Sequence, residues 1–118
     1  MIIAAYIVSA IVALLHIYFM ILEMFLWDKP IGLKAFGQIK ESAASSKILA
    51  ANQGLYNGFL AAGLIWGLLV GSAGINILIF FLSCVLIAGL FGAVTANRKI
   101  LYIKAMPAAI GLIFIFLS

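Results

Sequence analysis

The hydrophobic pattern divides the chain into long apolar runs separated by short basic segments. From Ile2 to Trp27 only Glu23 is charged, and the fifty residues 48–97 carry no charge. A membrane crossing takes about 20 apolar residues, so the second run is long enough for two crossings. Gly71–Gly74 supplies a turn between them. The pattern predicts one domain over 1–118 with four helices, at about 2–27, 48–70, 75–94 and 100–117.

The segment between the first two helices is the longest polar stretch of the chain. It holds four of the seven cations together with Asp28 and Glu41. Apolar residues recur at helical spacing within it, with lysines between them. This pattern predicts a short interfacial helix at about 33–43 that lies on the membrane surface. Ser45 and Ser46 are suited to cap the helix that follows.

Composition and charge place these helices in a membrane. The chain is 68% hydrophobic and 8% charged, against roughly 25% charged residues in soluble domains. All seven Lys and Arg residues lie in or near the first and third connections. Positively charged connections stay in the cytoplasm, so we expect both termini outside. The sequence thus predicts an all-α, multi-pass four-helix bundle in the cell inner (plasma) membrane, with lipid as its surroundings and no nucleic-acid partner.

Polar side chains inside the apolar runs are the candidate functional residues. In hydrocarbon a polar group without a partner costs on the order of several kcal/mol, so such side chains face other helices or trapped water. Helix one carries two of them and the opening of helix two carries four. We therefore expect a polar pocket between helices one and two, open to the cytoplasmic side. Its candidate ligand-binding or proton-handling residues are His16, Glu23, Asn52, Gln53, Tyr56 and Asn57.

Small residues at helical spacing predict where helices approach closely. On helix one a single stripe carries both small and polar residues: Ala5, Ser9, Ala13, His16, Met20, Glu23 and Trp27. On helices two and three the predicted packing residues are Gly54, Gly58, Gly63, Gly67, Gly89 and Gly92. The glycines could also make contacts in a homo-oligomer.

The sequence offers no group of metal ligands and no catalytic motif. The chain has one histidine and one cysteine, Cys84, and no other ligand at a metal-binding spacing. We expect no metal and no cofactor, and we interpret Met20 and Met24 as packing residues. No nucleophile elbow or phosphate loop supports an enzyme, so no catalytic residue is assigned.

Two motifs carry a resemblance to a known family. They are the segment His16–Trp27 and the segment Asn52–Gly58, accompanied by Pro107 and Ala108 in the last helix. With these motifs the chain resembles the small bacterial inner-membrane family catalogued as domain of unknown function thirteen-oh-four. The resemblance covers nearly the whole chain and implies a four-helix membrane protein without an assigned activity. Lys104 departs from the pattern, where a neutral polar residue is expected.

Four functional interpretations remain at this stage. The leading one is a protein that binds or moves a small amphipathic or lipidic molecule through the polar pocket. A proton-coupled exporter of the small multidrug type is an alternative, although such exporters have balanced loop charges. A membrane enzyme that uses Glu23 and His16 is another. The last is a structural or assembly subunit, in which the glycine stripes make homodimeric contacts. For Glu23 itself a structural interpretation is also open, in which the protonated acid bonds to Gln53 or Tyr56 and fixes helix register.

Overall fold

The computed structural model describes residues 1–118 and contains helices and the turns between them, with no strands. Its α-helices are α1 (Ile2–Phe25), α2 (Pro30–Phe36), α3 (Lys40–Val70), α4 (Ile75–Thr95) and α5 (Met106–Phe116). A 3₁₀ turn, Gly71–Gly74, joins α3 to α4, and a π-helical turn, Leu101–Ala105, leads into α5. The long helices are α1, α3, α4 and the stretch that combines the π turn with α5. The predicted all-α fold with four long helices is confirmed.

The chain forms two compact units. One unit comprises residues 1–14 and 60–118, and the other comprises residues 15–59. Helices α1 and α3 contribute residues to both units. The single domain over 1–118 therefore stays a prediction.

The larger unit has an apolar core to which all four long helices contribute. Its buried residues are Ala5, Val12, Ala13, Leu64, Leu78, Leu82, Val85, Ala108 and Ile115. Glycines allow the close approaches in this unit. A Cβ atom at Gly67 would lie 2.7 Å from the Leu78 side chain, and one at Gly89 would lie 2.7 Å from the backbone nitrogen of Ala105. The other two predicted packing glycines of this unit face neighbouring side chains as well, Gly63 facing Phe81 and Gly92 facing Ile100.

The outward faces of α1 and α4 are largely apolar. On α1 the exposed residues Ile3, Ile7 and Leu14 recur at helical spacing, and on α4 Phe80 and Ile87 do the same. Two helical stretches are long and apolar enough to cross a membrane. They are Ile2–Phe25 and Lys40–Thr95, the second of which contains the 3₁₀ turn.

Helix α3 begins earlier than the sequence predicted. The prediction placed its start near Ile48, with Ser45 and Ser46 as caps, whereas the helix starts at Lys40. Both serines lie inside the helix, and both hydroxyls donate to the carbonyl oxygen of Ser42, at 3.0 and 2.7 Å. A serine hydroxyl can bond back to the preceding turn, so these residues are compatible with a helix interior as well as with a cap.

The predicted interfacial helix over 33–43 is divided in the structure. Helix α2 ends at Phe36, and Gly37 follows with φ +61°. Glycine adopts this left-handed conformation without steric cost, and its amide caps the helix by bonding to the carbonyl of Lys34. Residues 40–43 belong to α3 instead. The polar segment is therefore a short helix, a tight break and the first turns of a long helix.

Helix α2 packs closely on the end of α1. A Cβ atom at Gly32 would overlap the backbone carbonyl of Leu26. Trp27 is buried here with Ala43 and Ala50, and Leu33 packs against this cluster. Trp27 lies in the turn just after α1, Leu33 in α2, and both alanines in α3, so this small core connects these segments within residues 15–59.

Candidate functional site

The candidate site lies in the unit formed by residues 15–59, where the end of α1 runs antiparallel to the start of α3. Trp27 Nε1 donates to Ser46 Oγ at 3.1 Å. Beside this bond, Lys47 Nζ donates to Asp28 Oδ2 at 3.1 Å. These contacts fix the register of the two helices at one end of the pair.

The centre of the site is a hydrogen bond between Glu23 on α1 and Asn57 on α3. Asn57 Nδ2 donates to Glu23 Oε1 at 2.5 Å. Both side chains are buried, with exposed fractions of 9% for Glu23 and 1% for Asn57. An acid and an amide thus meet inside a helix pair whose neighbouring residues are largely apolar.

Two glycines of α3 on the same face as Asn57 contact two methionines of α1. A Cβ atom at Gly54 would lie 2.7 Å from Met24 Cγ and 3.1 Å from the backbone oxygen of Met20. At Gly58 a Cβ atom would lie 2.7 Å from Met20 Sδ. The glycines therefore let α1 approach α3, and the flexible methionine side chains fill the space beside Glu23. The sequence had assigned these methionines to packing alone.

His16 lies two turns before Glu23 on the same buried stripe of α1. Its side chain is 1% exposed. Its ring meets that of Phe19 edge to face, with centroids 5.7 Å apart. Seven residues of helix separate the two positions by about 10.5 Å, so His16 and Glu23 are too far apart for a direct hydrogen bond.

Three of the six candidate pocket residues do not join the site. Asn52, Gln53 and Tyr56 are exposed, and the exposed fraction of Tyr56 is 55%. Helical geometry explains the difference, because Asn52 and Tyr56 lie about 160° around α3 from Gly54, which faces α1. One interpretation expected Glu23 to bond to Gln53 or Tyr56, but both of these side chains are exposed. Asn57 takes that place.

The Asp28 and Lys47 pair sets the electrostatics at the end of the helix pair. The hydrogen bond from Lys47 holds the pKa of Asp28 below its ordinary value. Partial desolvation opposes this shift, and the positive charges of Lys47 and Lys29 add to it. Asp28 is therefore a carboxylate at neutral pH, facing a cation on α3.

The chemistry available to this arrangement is hydrogen bonding and proton exchange. No group of three or more His, Cys, Asp or Glu side chains lies close enough to hold a metal ion. A carboxyl group can accept hydrogen bonds or carry a proton, and Asn57 fixes one of its oxygens. Two surface grooves lie elsewhere, in the larger unit. One includes Trp66 and Phe80, and the other Arg98 and Tyr102.

The fold and the site define an all-helical protein with apolar stretches of membrane-crossing length and a buried acid and amide pair. The family described as "Protein of unknown function (DUF1304)" matches residues 10–116, and the chain belongs to this family. The chain is also similar to the "Uncharacterized protein YpaA" of Lactococcus lactis subsp. lactis (strain IL1403). The two are 34% identical over 112 residues, which cover 93% of this chain and 94% of that protein. No solved structure matches the chain.

Proposed function

We propose that this chain is a multi-pass membrane protein that binds a small amphipathic or lipidic molecule at the Glu23 and Asn57 pair. The largely apolar outward faces of α1 and α4 support the membrane placement, because soluble monomers rarely expose contiguous apolar patches larger than a few hundred Å². The charge pattern supports four crossings, with the basic connections in the cytoplasm and both termini outside.

The buried hydrogen bond between Glu23 and Asn57 carries the binding proposal. Acids within apolar helices are rare, and where they occur they mark ligand and proton pathways. An ionised carboxylate only accepts hydrogen bonds, so it suits a ligand that presents an amine or a hydroxyl group. The apolar body of such a molecule would fit among the helices.

The methionines supply a way for a ligand to enter. Met20 and Met24 occupy the space beside Glu23 and contact the glycine positions of α3. Methionine is unbranched and flexible, and it adapts to differently shaped partners. Rotation of Met20 and Met24 would open room for an apolar chain while Asn57 keeps the carboxyl group oriented. The ligand therefore replaces side chains that move easily.

Native mass spectrometry of protein extracted gently from its own membrane tests this function. We expect a discrete adduct on the wild type that is lost in Glu23→Gln. Glu41→Gln is the matched control, because it makes the same chemical change at an exposed acid of α3. The control should keep the adduct. A bare protein in all three samples, or equal adducts in all three, would contradict the proposal.

The tight packing of the same site favours one other function, that of a structural subunit. Asn57 already satisfies one oxygen of Glu23, and the glycines bring the helices close. In that case the pair fixes the register of α1 against α3, and the Glu23→Gln protein would match the wild type in ligand content and differ only in stability.

A further inference from the structure

Helix α3 carries a second stripe, on the face turned away from α1. Its residues are Leu49, Asn52, Tyr56 and Phe59, spaced by three, four and three residues, and all four are exposed. This outer α3 stripe differs from the outward face of α1, where exposed positions carry no amide. The site described above uses the opposite face of α3, whereas the side chains of this stripe are exposed.

The position of Asn52 makes contact with lipid chains costly. It lies five residues, about 7.5 Å, beyond Lys47 and inside the apolar run that starts at Ile48. An amide exposed to hydrocarbon costs several kcal/mol unless a partner accepts and donates hydrogen bonds. The neighbouring Gln53 is also exposed, and its amide needs hydrogen-bond partners for the same reason. The surface therefore requires a polar partner at that depth.

We infer that the outer α3 stripe is the contact between two copies of this chain. Spacings of three and four residues are those of helices that pack along a shared seam, and an asparagine in such a seam selects a paired partner and its register. An amide is both a donor and an acceptor, so Asn52 is complementary to itself.

The proposed membrane orientation makes this pairing geometrically simple. Because the charge pattern gives every copy the same orientation, a two-fold axis along the membrane normal brings two α3 helices together in parallel. Identical residues then meet at equal depth, Asn52 beside Asn52 and Tyr56 beside Tyr56. This inference rests on the membrane placement proposed above but not on the ligand at Glu23.

Cysteine cross-linking in native membranes tests the contact. With Cys84→Ala as background, Tyr56→Cys places a thiol in the stripe, and Ile21→Cys places one at similar depth on the outward face of α1. Oxidation should give a dimer for Tyr56→Cys and none for Ile21→Cys. Equal cross-linking at both positions, no dimer at either, or a cross-link to a protein of different mass would overturn the inference.

A second measurement determines how much the Asn52 side chain contributes to the dimer. Adding Asn52→Leu to the Tyr56→Cys protein should shift the lipid-to-protein ratio at which cross-linking is half complete by about three- to thirty-fold, the range expected for one intramembrane hydrogen bond. Asn76→Leu, outside the stripe, should cause no shift. Glu23→Gln in the same background should keep the dimer, so failure of the ligand proposal and failure of this inference give different results.

Discussion

Asn57 donates a hydrogen bond to Glu23, although Asn57 lies about one helical turn further along α3 than the residue that sits directly beside Glu23. Gly54 is that neighbour, since a Cβ atom there would lie 3.0 Å from Glu23 Cβ. Side chains lean towards the N-terminus of their helix, so in an antiparallel pair the side chains of Glu23 and Asn57 lean towards each other. The hydrogen bond thus spans a height difference of about 4.5 Å.

Removal of this amide should destabilise the protein. Asn57→Ala removes the amide that donates to the buried carboxyl group of Glu23, and we expect a loss of about 1–2 kcal/mol in the free energy of unfolding. Circular dichroism during denaturation in mixed micelles measures the change. Asn76→Ala is the control at an exposed amide and should be near neutral. Equal stabilities of the two variants would show that the bond contributes nothing.

Two glycines on the same face of α3 should respond differently to alanine. At Gly54 the new Cβ would lie 3.1 Å from a backbone oxygen of Met20, which moves only if α1 moves, and we expect a loss of about 1–3 kcal/mol. At Gly58 it meets only the flexible Met20 side chain. The better helix propensity of alanine, about 1 kcal/mol, offsets that contact. In the same denaturation assay, Gly54→Ala should be clearly less stable than Gly58→Ala. The reverse order of stabilities would contradict the described packing.

The Asp28 and Lys47 pair predicts a pH dependence with a defined sign. The pKa of Asp28 is lower in the folded chain than its ordinary value of 3.8. Its stabilising effect is therefore fully present above pH 3.8 and disappears as the pH falls through the lowered pKa. At neutral pH, Asp28→Asn should be slightly less stable than the wild type, and this difference in stability should shrink at high salt. Well below pH 3.8 the two proteins should be equally stable. Glu41→Gln should show no such convergence.

The proposed orientation can be read from the accessibility of single cysteines. In a Cys84→Ala background, Ser72→Cys lies in the turn between α3 and α4, and Ala35→Cys lies in α2, both at exposed positions. A maleimide that cannot cross membranes should label Ser72→Cys in intact cells, and Ala35→Cys only after permeabilisation. Labelling in the opposite order would reverse the topology, and labelling of both in intact cells would exclude it.

Local patterns in the sequence predicted the helices and the inward face of α1. Spacings of three and four residues placed Ser9, His16 and Glu23 on one stripe, and all three are buried. The turn near Gly71 also followed from composition. These features depend on residues close together in the chain, so they can be predicted without knowing what packs against them.

The faces of α3 were harder to predict, because its polar residues point in opposite directions. Asn52 and Asn57 lie about 140° apart around the helix, so they cannot both face α1. The spacing of Ala50, Gly54, Asn57 and Ala61, all of them buried, was the signal that identifies the inner face. The partner of Glu23 depends on the register between two distant segments. Helical rise alone brings Glu23 level with Gln53 and not with Asn57, since the rise takes no account of the direction in which side chains lean.

The tight turn after α3 has a consequence for how the protein is made. α3 carries three amides and a tyrosine, whereas α4 carries one amide, near its start. The 3₁₀ turn brings the backbone of Gly74 against that of Gly67. With the membrane placement proposed above, a hairpin this short offers both helices to the insertion machinery together during synthesis. The strongly apolar α4 then compensates for the polar groups of α3, so a mutation that lengthens the turn would reduce membrane integration even though it touches no residue of the site.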